Sequence, residues 1–157
     1  MLGQYRGKSL MLKLTQPQAA YLAGFIDGDG SIYVRLKPND TYRYGFQIAP
    51  YIILFQSAKD ETNFKKICKL LNCGYLRTRK DGILEYTIGR KEDILAVIKV
   101  IRPHLILKCR QADLMKKILI KKSLVKNVKD FAKLMDLVNK FADINYSKKR
   151  IKHKLTP

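Results

Sequence analysis

The spacing of apolar residues changes near residue 30 from a helical to an alternating pattern, and this change constrains the fold more than any other feature. Residues 18–27 are apolar and compatible with a helix, and Pro17 suits its first turn. In the segment that follows, apolar side chains occupy every second position: Ile32, Val34 and Leu36. Residues 46–56 indicate a second strand, in which Pro50 predicts a sheet edge or a bulge. We therefore predict a helix followed by two strands.

The same order of elements returns further along the sequence. Apolar residues at helical spacing predict a helix over residues 60–72, which Gly74 would end. Residues 75–79 and 84–88 alternate around an Asp81-Gly82 turn, as in a hairpin. Three later runs indicate helices, namely 94–101, 114–119 and 127–138. The predicted fold class is α+β, with an antiparallel sheet backed by helices and further helices towards the C-terminus.

The charge of the chain points to a polyanionic partner. Of its 157 residues, 32 are Lys or Arg and 13 are Asp or Glu, so the formal net charge is +19. A surplus of this size destabilises a compact state by self-repulsion and usually accompanies nucleic-acid binding. A solvated basic surface without chemistry is the plain alternative. An anionic membrane is disfavoured because the basic residues are spread along the chain.

The sequence also predicts the compartment. No segment approaches the roughly 18 consecutive apolar residues of a membrane span, and the N-terminal residues lack the pattern of a signal peptide. We expect an intracellular protein, located in the cytoplasm of a prokaryote or in an organelle. Cys68, Cys73 and Cys109 are odd in number and lack CxxC spacing, so we expect reduced thiols and neither a disulfide framework nor a zinc site.

Two carboxylates lie close together where the first predicted helix ends. The segment reads Leu22-Ala23-Gly24-Phe25-Ile26-Asp27-Gly28-Asp29-Gly30. The negative end of the helix macrodipole disfavours anions there, and a cation would relieve this. Mg²⁺ prefers oxygen ligands, so Asp29 and the carbonyl group of Gly28 would form a partial site that phosphate oxygens complete. The alternative is a polar turn between helix and strand.

Small residues follow one side of the same helix. Ala20, Ala23, Gly24 and Gly28 would let a neighbouring surface approach closely. In a monomer this side of the helix would pack on the sheet. In a symmetric dimer it would bring the Asp29 carboxylates of two copies together at the two-fold axis.

The segment 22–30 resembles the signature of the LAGLIDADG homing endonucleases, with seven identities and with Phe25 for Leu and Gly28 for Ala. The resemblance extends over residues 17–122 and is to the single-motif subgroup. It is also carried by three shorter segments, 31–33, 74–79 and 107–113. It implies an αββαββα core whose saddle-shaped sheet lies in the DNA major groove. It further implies a homodimer that uses Mg²⁺ to cut both strands of a long, nearly palindromic site, leaving 3′ overhangs.

The resemblance also assigns roles to single residues. Asp29 would bind the metal, Gly28 would supply a carbonyl ligand, and Asp27 would be structural. Gln56 would position the attacking water and Lys108 would stabilise developing charge; the plain alternatives are a polar strand end and a simple phosphate contact. The implied cofactor is Mg²⁺, with Mn²⁺ able to substitute and Ca²⁺ supporting binding without cleavage. The predicted dimer interface consists of Ala20, Ala23, Gly24, Asp27 and Gly28.

The predicted contacts with double-stranded DNA lie on the polar faces of the two hairpins and in the loop of the first. They are Tyr33, Arg35, Lys37, Asn39, Thr41, Tyr42, Gln47, Ala49, Tyr51, Ile53, Arg77, Arg79, Glu85 and Thr87. In the second strand this face is largely apolar, with Ala49, Ile53 and Phe55. Either these side chains contact thymine methyl groups, or Pro50 shifts the register and they pack in the core.

Some features depart from the related pattern or stand outside it. Asp60 occupies a position that is usually basic, so either Lys59 takes that role or the role is absent. His104 adjoins a helix boundary and His153 lies in a basic tail, which makes both poor candidates for a general base. We divide the chain into three parts: a basic arm (1–16), one endonuclease domain (17–145) and a basic tail (146–157).

Two other hypotheses compete with the endonuclease. The first is a related protein that no longer cuts and acts as an RNA splicing cofactor (maturase) or as a DNA-binding regulator. The second is a purely structural basic protein, which would not require the arrangement of residues 24–30. The presence of Asp29, Gln56 and Lys108 together favours the enzyme.

Overall fold

The computed structural model describes residues 12–145. Most of the predicted basic arm and the whole predicted tail lie outside the described residues. The helices are α1 (Gln16–Asp29), α2 (Glu61–Leu71), α3 (Lys91–Ile101), α4 (Cys109–Lys122), α5 (Val128–Asn139) and α6 (Phe141–Ile144). The strands are β1 (Gly30–Pro38), β2 (Phe46–Ser57), β3 (Tyr75–Thr78) and β4 (Ile83–Ile88). The α+β class and the order αββαββα are confirmed, and no helix among the described residues is long and apolar enough to cross a membrane.

Helix α1 runs directly into strand β1 without a loop. At its start, Thr15 and Gln18 form a capping box in which each side chain accepts a hydrogen bond from the other residue's backbone N–H. At its end, Gly30 is already the first residue of β1, and its N–H donates to the carbonyl of Ile26. A Cβ atom on Gly30 would lie 2.7 Å from the Cα of Ile26. The junction therefore depends on glycine, and the polar turn weighed for this segment is absent.

The four strands form one antiparallel sheet in the order β1-β2-β4-β3. Pro50 pairs with Val34 in an unbroken register, so β2 has no bulge there. Because β4 begins its pairing at Ile52, Pro50 has a neighbouring strand on one side only, which is the local edge that proline tolerates. In the same part of β2, the Lys122 ammonium donates to the carbonyl of Ile48 at 3.0 Å.

The helices cover one face of this sheet and leave the other face open. Helices α1, α3, α4 and α5 contact β1 or β2. The core between them includes several fully buried side chains: Leu22, Ile26, Ile32, Ile52, Leu54, Ile88, Ile94 and Ile101. Full burial of one such side chain contributes roughly 1.5–3 kcal/mol. Among residues 12–145, this packing leaves the other face of the sheet as a platform for a ligand.

The turn into the second hairpin requires a glycine. Helix α2 ends at Leu71, and its C-cap Asn72 has a left-handed conformation with φ of 47°. Gly74 follows with φ of +83°, and a Cβ atom there would lie 2.4 Å from the carbonyl oxygen of Thr87. No other residue fits this close approach between backbones.

The last long helix begins as predicted and has a side-chain cap. Asn127 is the N-cap of α5, and its side chain accepts from the backbone N–H of Asp130 at 2.9 Å. The Asp130 carboxylate accepts from the N–H of Lys126, not of Asn127, at 3.1 Å. Asp130 therefore contributes to both contacts at the start of α5, through its N–H and through its carboxylate.

Candidate nucleic-acid interface and metal site

The open face of the β1–β2 hairpin is basic and aromatic, as its alternation predicts. Tyr33 and Tyr51 lie opposite each other with ring centroids 5.4 Å apart. The Lys37 ammonium donates to the Tyr51 hydroxyl at 2.8 Å, and the Arg35 guanidinium lies 5.8 Å from the centroid of the Tyr33 ring. Cations on neutral aromatic supports keep their full charge, which suits contact with phosphate groups.

The open face of the β3–β4 hairpin holds its arginines against carboxylates. Two guanidinium nitrogens of Arg77 donate to one Glu85 oxygen, at 2.7 and 3.1 Å. This hydrogen bonding and the charge of Glu85 raise the pKa of Arg77 above its ordinary value. Arg79 pairs with Asp81 at 2.6 Å. These contacts fix the direction of each guanidinium, which is what bidentate recognition of a base requires.

Three predicted DNA contacts are covered by their neighbours. Ala49, Ile53 and Thr87 lie on the open face but are only 5%, 4% and 3% exposed. The register across Pro50 is unbroken, so core packing after a register shift is wrong as an explanation. These small and medium side chains form the floor between larger neighbours. The structure therefore places Ala49, Ile53 and Thr87 beneath the surface that a DNA base would touch.

The loop between β1 and β2 is anchored by contacts that the sequence did not reveal. The Asn39 side-chain oxygen accepts from both the N–H and the hydroxyl of Thr41, at 3.0 and 2.6 Å, so Asn39 shapes its own turn. Tyr42 is exposed at the loop tip. Tyr44 stacks on Phe131 of α5 with ring centroids 4.7 Å apart. Helix α5 thus supports the loop, through a pair that is far apart in sequence.

The remaining predicted contact, Gln47, lies opposite Lys37 at the outer end of the hairpin. It is half-buried and belongs to the same open face. With Arg35, Tyr51 and the β3–β4 arginines, it completes a polar surface along the length of the sheet.

The end of α1 presents two carboxylates with opposite environments. Asp29 is the last residue of the helix and is exposed, as is Gly28 before it. Asp27 is turned inwards and is 9% exposed. The Asp29 carboxylate and the carbonyl group of Gly28 therefore remain open to a cation at the negative end of the helix.

The Asp27 carboxylate binds the segment that leads into α4. It accepts from three successive backbone N–H groups, those of Ile106 at 2.7 Å, Leu107 at 3.1 Å and Lys108 at 2.9 Å. Burial alone would raise the pKa of Asp27, but the three donors and the charge of Lys108 together lower it below its ordinary value. Asp27 is an anion fixed inside the fold, which agrees with its predicted structural role.

Lys108 is brought to the same end of α1 from a distant part of the sequence. It is the N-cap residue of α4, and its ammonium donates to the backbone carbonyl of Asp27. Burial lowers the pKa of Lys108 below its ordinary value, while the charges of Asp27 and then Asp29 oppose the shift. The structure therefore unites Asp29 and Lys108, two of the three residues predicted to be catalytic.

Gln56 lies near this pair but is otherwise engaged. Gly30 pairs with Leu54, so Gln56, two residues further along β2, stands at the end of the sheet next to the end of α1. Its side-chain oxygen accepts from the N–H of Ser57 at 2.8 Å. Gln56 also lines a groove with Tyr21 and Phe25 of α1. Its predicted role in positioning water stays a prediction.

The related pattern has a basic residue at position 60, and two alternatives remain: Lys59 takes its role, or the role is absent. Asp60 accepts from the side-chain amide of Asn63 at 2.8 Å, which ties it to the start of α2. Lys59 is exposed in the short 3₁₀ turn before that helix. The substitution of Lys59 for a basic residue at position 60 stays a prediction.

The small-residue stripe on α1 is narrower than predicted. Ala20, Gly24 and Gly28 are exposed and follow one another at intervals of four. A Cβ atom on either glycine would meet nothing within 4 Å. Ala23 is fully buried in the chain's own core. Asp27 is nearly buried because its carboxylate faces residues 106–108, which lead into α4. Of the predicted interface residues, those available to a second copy are therefore the stripe Ala20, Gly24 and Gly28.

The histidine and cysteines take structural places. His104 lies 3.0 Å from the Gln16 side-chain oxygen, through Nε2. Cys68, Cys73 and Cys109 are free thiols. Burial raises the pKa of Cys68 to about 11 and that of Cys73 to about 12, so neither is a ready nucleophile or metal ligand. His153 lies outside the described residues.

Taken alone, one chain supplies an incomplete metal site. Among residues 12–145 there is no group of three or more His, Cys, Asp or Glu side chains that could hold a metal ion. The oxygen donors of Asp29 and Gly28 suit a hard divalent cation, which takes its remaining ligands from water and substrate phosphate. The donor set therefore fits a hard divalent cation.

Comparison with known proteins gives a family and close relatives. The family model described as LAGLIDADG endonuclease matches residues 22–120. DNA endonuclease I-CreI of Chlamydomonas reinhardtii is 31% identical over 131 residues, which are 83% of this chain and 80% of that protein. DNA endonuclease I-CvuI of Chlorella vulgaris is 32% identical over 138 residues, 86% of this chain and 84% of that protein.

Solved structures of I-CvuI share the fold over most of its length. In one it is in complex with the I-CreI target in the presence of Mg, and in the other with its own target in the presence of Ca. Each has a TM-score of 0.82 and 29% sequence identity to this chain, and the match covers 87% of both chains. The family model's match over residues 22–120 spans Asp29, Gln56 and Lys108.

Proposed function

The chain belongs to the LAGLIDADG endonuclease family, and from that premise we propose that it is a homing endonuclease, which hydrolyses phosphodiesters at a specific DNA site with a divalent metal. One observation carries this proposal. The exposed Asp29 carboxylate and the Lys108 ammonium lie at the same end of α1, beside an open sheet face lined with cations. An exposed carboxylate, a partly buried cation and a basic platform are the parts that metal-dependent cleavage of DNA requires.

Double-stranded DNA would lie along the open face of the sheet. A two-stranded antiparallel ribbon fits the major groove, and this sheet offers two of them side by side. Lys37 and Arg35 would contact phosphate groups, while Arg77 and Arg79, held by carboxylates, would read base edges. The strand β1 would then connect the bound groove directly to Asp29.

The metal would be held by the Asp29 carboxylate and the carbonyl group of Gly28. We propose Mg²⁺ as the physiological ion, with Mn²⁺ able to substitute and Ca²⁺ supporting binding without cleavage. When bound, such an ion supplies Lewis-acid stabilisation of phosphate charge and lowers the pKa of bound water. Asp29 also gives the site its negative charge, which the exposed end of the helix cannot provide by carbonyl dipoles alone.

Lys108 and Gln56 would complete the chemistry without a covalent nucleophile. The Lys108 ammonium would stabilise negative charge that develops on the scissile phosphate. A positioned electrostatic contact of this kind contributes roughly 3 kcal/mol to a transition state. The Gln56 side chain would leave its contact with Ser57 and orient the attacking water.

Two copies of the chain would be needed to cut both strands. Each chain has one Asp29, and the stripe Ala20, Gly24 and Gly28 is open to close approach by the same stripe of a second copy. The two-fold axis of such a homodimer would match a nearly palindromic DNA site. We propose that cleavage of both DNA strands leaves 3′ overhangs. An intracellular location, which the sequence predicts, is part of this proposal.

The proposal predicts a loss of cutting without a loss of binding in Asp29→Asn. This change keeps the shape of the helix end and removes the charge that holds the metal. The test is a time course of cleavage in Mg²⁺, with a gel-shift titration in Ca²⁺. One substrate is a plasmid that carries the joined sequences that would flank an intron containing this reading frame, and the Sro1.3 target of I-CvuI serves as a second probe. Asp40→Asn, on the exposed β1–β2 loop, is the matched control.

Two results would contradict the proposal. If Asp29→Asn cuts at the wild-type rate, Asp29 is not the metal ligand. If the wild-type chain binds the plasmid and never cuts it, the protein is a DNA-binding regulator or an RNA splicing cofactor. Light scattering of the free and DNA-bound protein tests the dimer, and a monomer in both states would refute the two-copy site.

A further inference from the structure

Ile106 and Leu107, which precede α4, are held by their backbone and not by packing of their side chains. Ile106 and Leu107 are 82% and 71% exposed, so their side chains contribute little to holding the segment in place. Their N–H groups and that of Lys108 all point to the Asp27 carboxylate, which lies 79 to 81 positions earlier in the sequence. One buried carboxylate therefore determines the path of three consecutive residues.

Asp27 accepts hydrogen bonds from both the backbone and the side chain of Lys108. Its carboxylate accepts from the Lys108 backbone N–H, and its backbone carbonyl accepts from the Lys108 ammonium. A lysine side chain has four rotatable bonds and loses considerable entropy when it is fixed. Contact at the backbone and at the tip with the same partner selects one of its many conformations.

Asp27 and Asp29 share the last turn of α1. Hydrogen bonds within the helix and the direct junction to β1 hold the two residues in a fixed relation. The position of Lys108 relative to Asp29 is therefore set through Asp27, by contacts within about one helical turn. Charge-assisted hydrogen bonds of this kind are stronger and more directional than those between neutral groups.

We propose that Asp27 is a positioning residue that places the Lys108 ammonium beside Asp29 for the reaction. This inference rests on the proposed function and gives the first carboxylate of the signature a task beyond holding the fold together. Asp27 itself touches neither the metal nor the DNA. It acts through Lys108, so removal of Asp27 and removal of Lys108 impair the same step.

A double-mutant cycle tests this dependence. Asp27→Asn, Lys108→Met and the double variant are compared in single-turnover cleavage of a plasmid that the wild-type protein cuts. Asp27→Asn should lower the rate by on the order of tenfold to a hundredfold, because misplacement of a reacting group by about 1 Å has an effect of that size. In the Lys108→Met background the same change should cost less than about twofold, as expected for residues that act as a unit.

Three further measurements separate positioning from stability. Asp113→Asn removes a carboxylate of α4 that pairs with Arg102, at 2.7 Å, and does not touch the 106–108 segment, so cleavage should stay at the wild-type rate. DNA affinity in Ca²⁺ should be unchanged in all single variants within about threefold, since Lys108 is one contact among many. Asp27→Glu keeps the charge and the fold but lengthens the side chain, and it should also lower the rate.

A readout without catalysis is the exchange of backbone amide hydrogens. In Asp27→Asn the amides of Ile106, Leu107 and Lys108 should exchange much faster, while those of α5 should not change. Equal losses of rate from Asp27→Asn with and without Lys108, or unchanged exchange at the three amides, would overturn the inference. A wild-type protein that never cuts would instead refute the proposed function, and the exchange result would still report on the Asp27 contacts.

Discussion

The two hairpins of the sheet hold their cations by different means. In β1–β2, Lys37 and Arg35 rest on tyrosines, which leave their charge intact. In β3–β4, Arg77 and Arg79 are paired with carboxylates, which fix their direction and neutralise part of their charge. A repeated order of elements therefore does not imply a repeated task. We infer that the first hairpin supplies most of the affinity for phosphate groups and the second most of the selectivity for bases.

The hairpins also differ in how tightly their backbones are built. Strands β1 and β2 have 9 and 12 residues, whereas β3 and β4 have 4 and 6. Gly45, next to β2, has φ of +75° and open space around it. Gly74, next to β3, has a similar φ of +83° but touches the backbone of Thr87. The shorter hairpin therefore depends on a closer contact.

The largest expected effect is that of Gly74→Ala. A side chain at positive φ is strained, and here its Cβ would also overlap the Thr87 carbonyl, so we expect a loss of at least about 2 kcal/mol of stability. Gly45→Ala introduces the same strain without the overlap and should cost about 1 kcal/mol. Denaturant unfolding of both variants provides the measurement. Equal shifts would mean that the contact at Gly74 relaxes at no cost.

The second prediction compares Arg77→Met with Lys37→Met in DNA binding. Loss of Lys37 should flatten the dependence of log K on log salt by about 0.9, the effect of one phosphate contact. Loss of Arg77 should reduce affinity more at low salt than at high salt, because it leaves the Glu85 charge facing DNA and salt screens this repulsion. Adding Glu85→Gln to Arg77→Met should restore part of the affinity. If this second change restores nothing, the carboxylate does not govern the hairpin, and the contrast between the two hairpins fails.

The smallest predicted effect is that of Tyr51→Phe. The ring remains as a support for Lys37, but the hydroxyl that accepts its hydrogen bond is lost. Such a bond contributes about 0.5–1.5 kcal/mol, so affinity should fall by no more than about tenfold. Tyr21→Phe on α1, away from the open face, is the control for loss of a tyrosine hydroxyl. Competition titrations in Ca²⁺ measure both, and equal effects would remove the special role of Tyr51.

Much of the fold could be predicted because it is written in local patterns. The change from helical to alternating spacing marks the end of α1, and the Asp81-Gly82 turn marks the second hairpin. The ends of elements were less accurate, since α1 starts at Gln16 and continues to Asp29, beyond the apolar residues that revealed it. Hydrogen bonds of the helix, and not hydrophobicity, decide where it stops.

The site was predicted less completely because its key contacts join distant residues. The signature and the resemblance identify Asp29 and Lys108, yet no local pattern shows that Asp27 binds the N–H groups of 106–108. Backbone donors carry no mark in the sequence. The coverage of Ala49 and Ile53 was likewise invisible, because alternation shows the side of a sheet on which a residue lies and not the size of its neighbours.

Because α1 joins β1 directly, the distance from Asp29 to each residue of β1 is fixed by the backbone. No loop residue separates Asp29 from β1. The DNA backbone would be cut beside Asp29, and β1 would follow the DNA groove. The 9 residues of β1 rise by about 3.3 Å each, which nearly equals the 3.4 Å between stacked base pairs. In the proposed complex we therefore expect β1 to span about nine base pairs on each side of the two-fold axis. Substitutions along β1 would alter which bases are recognised. The distance from those bases to the cleavage site would stay the same, because the backbone sets it.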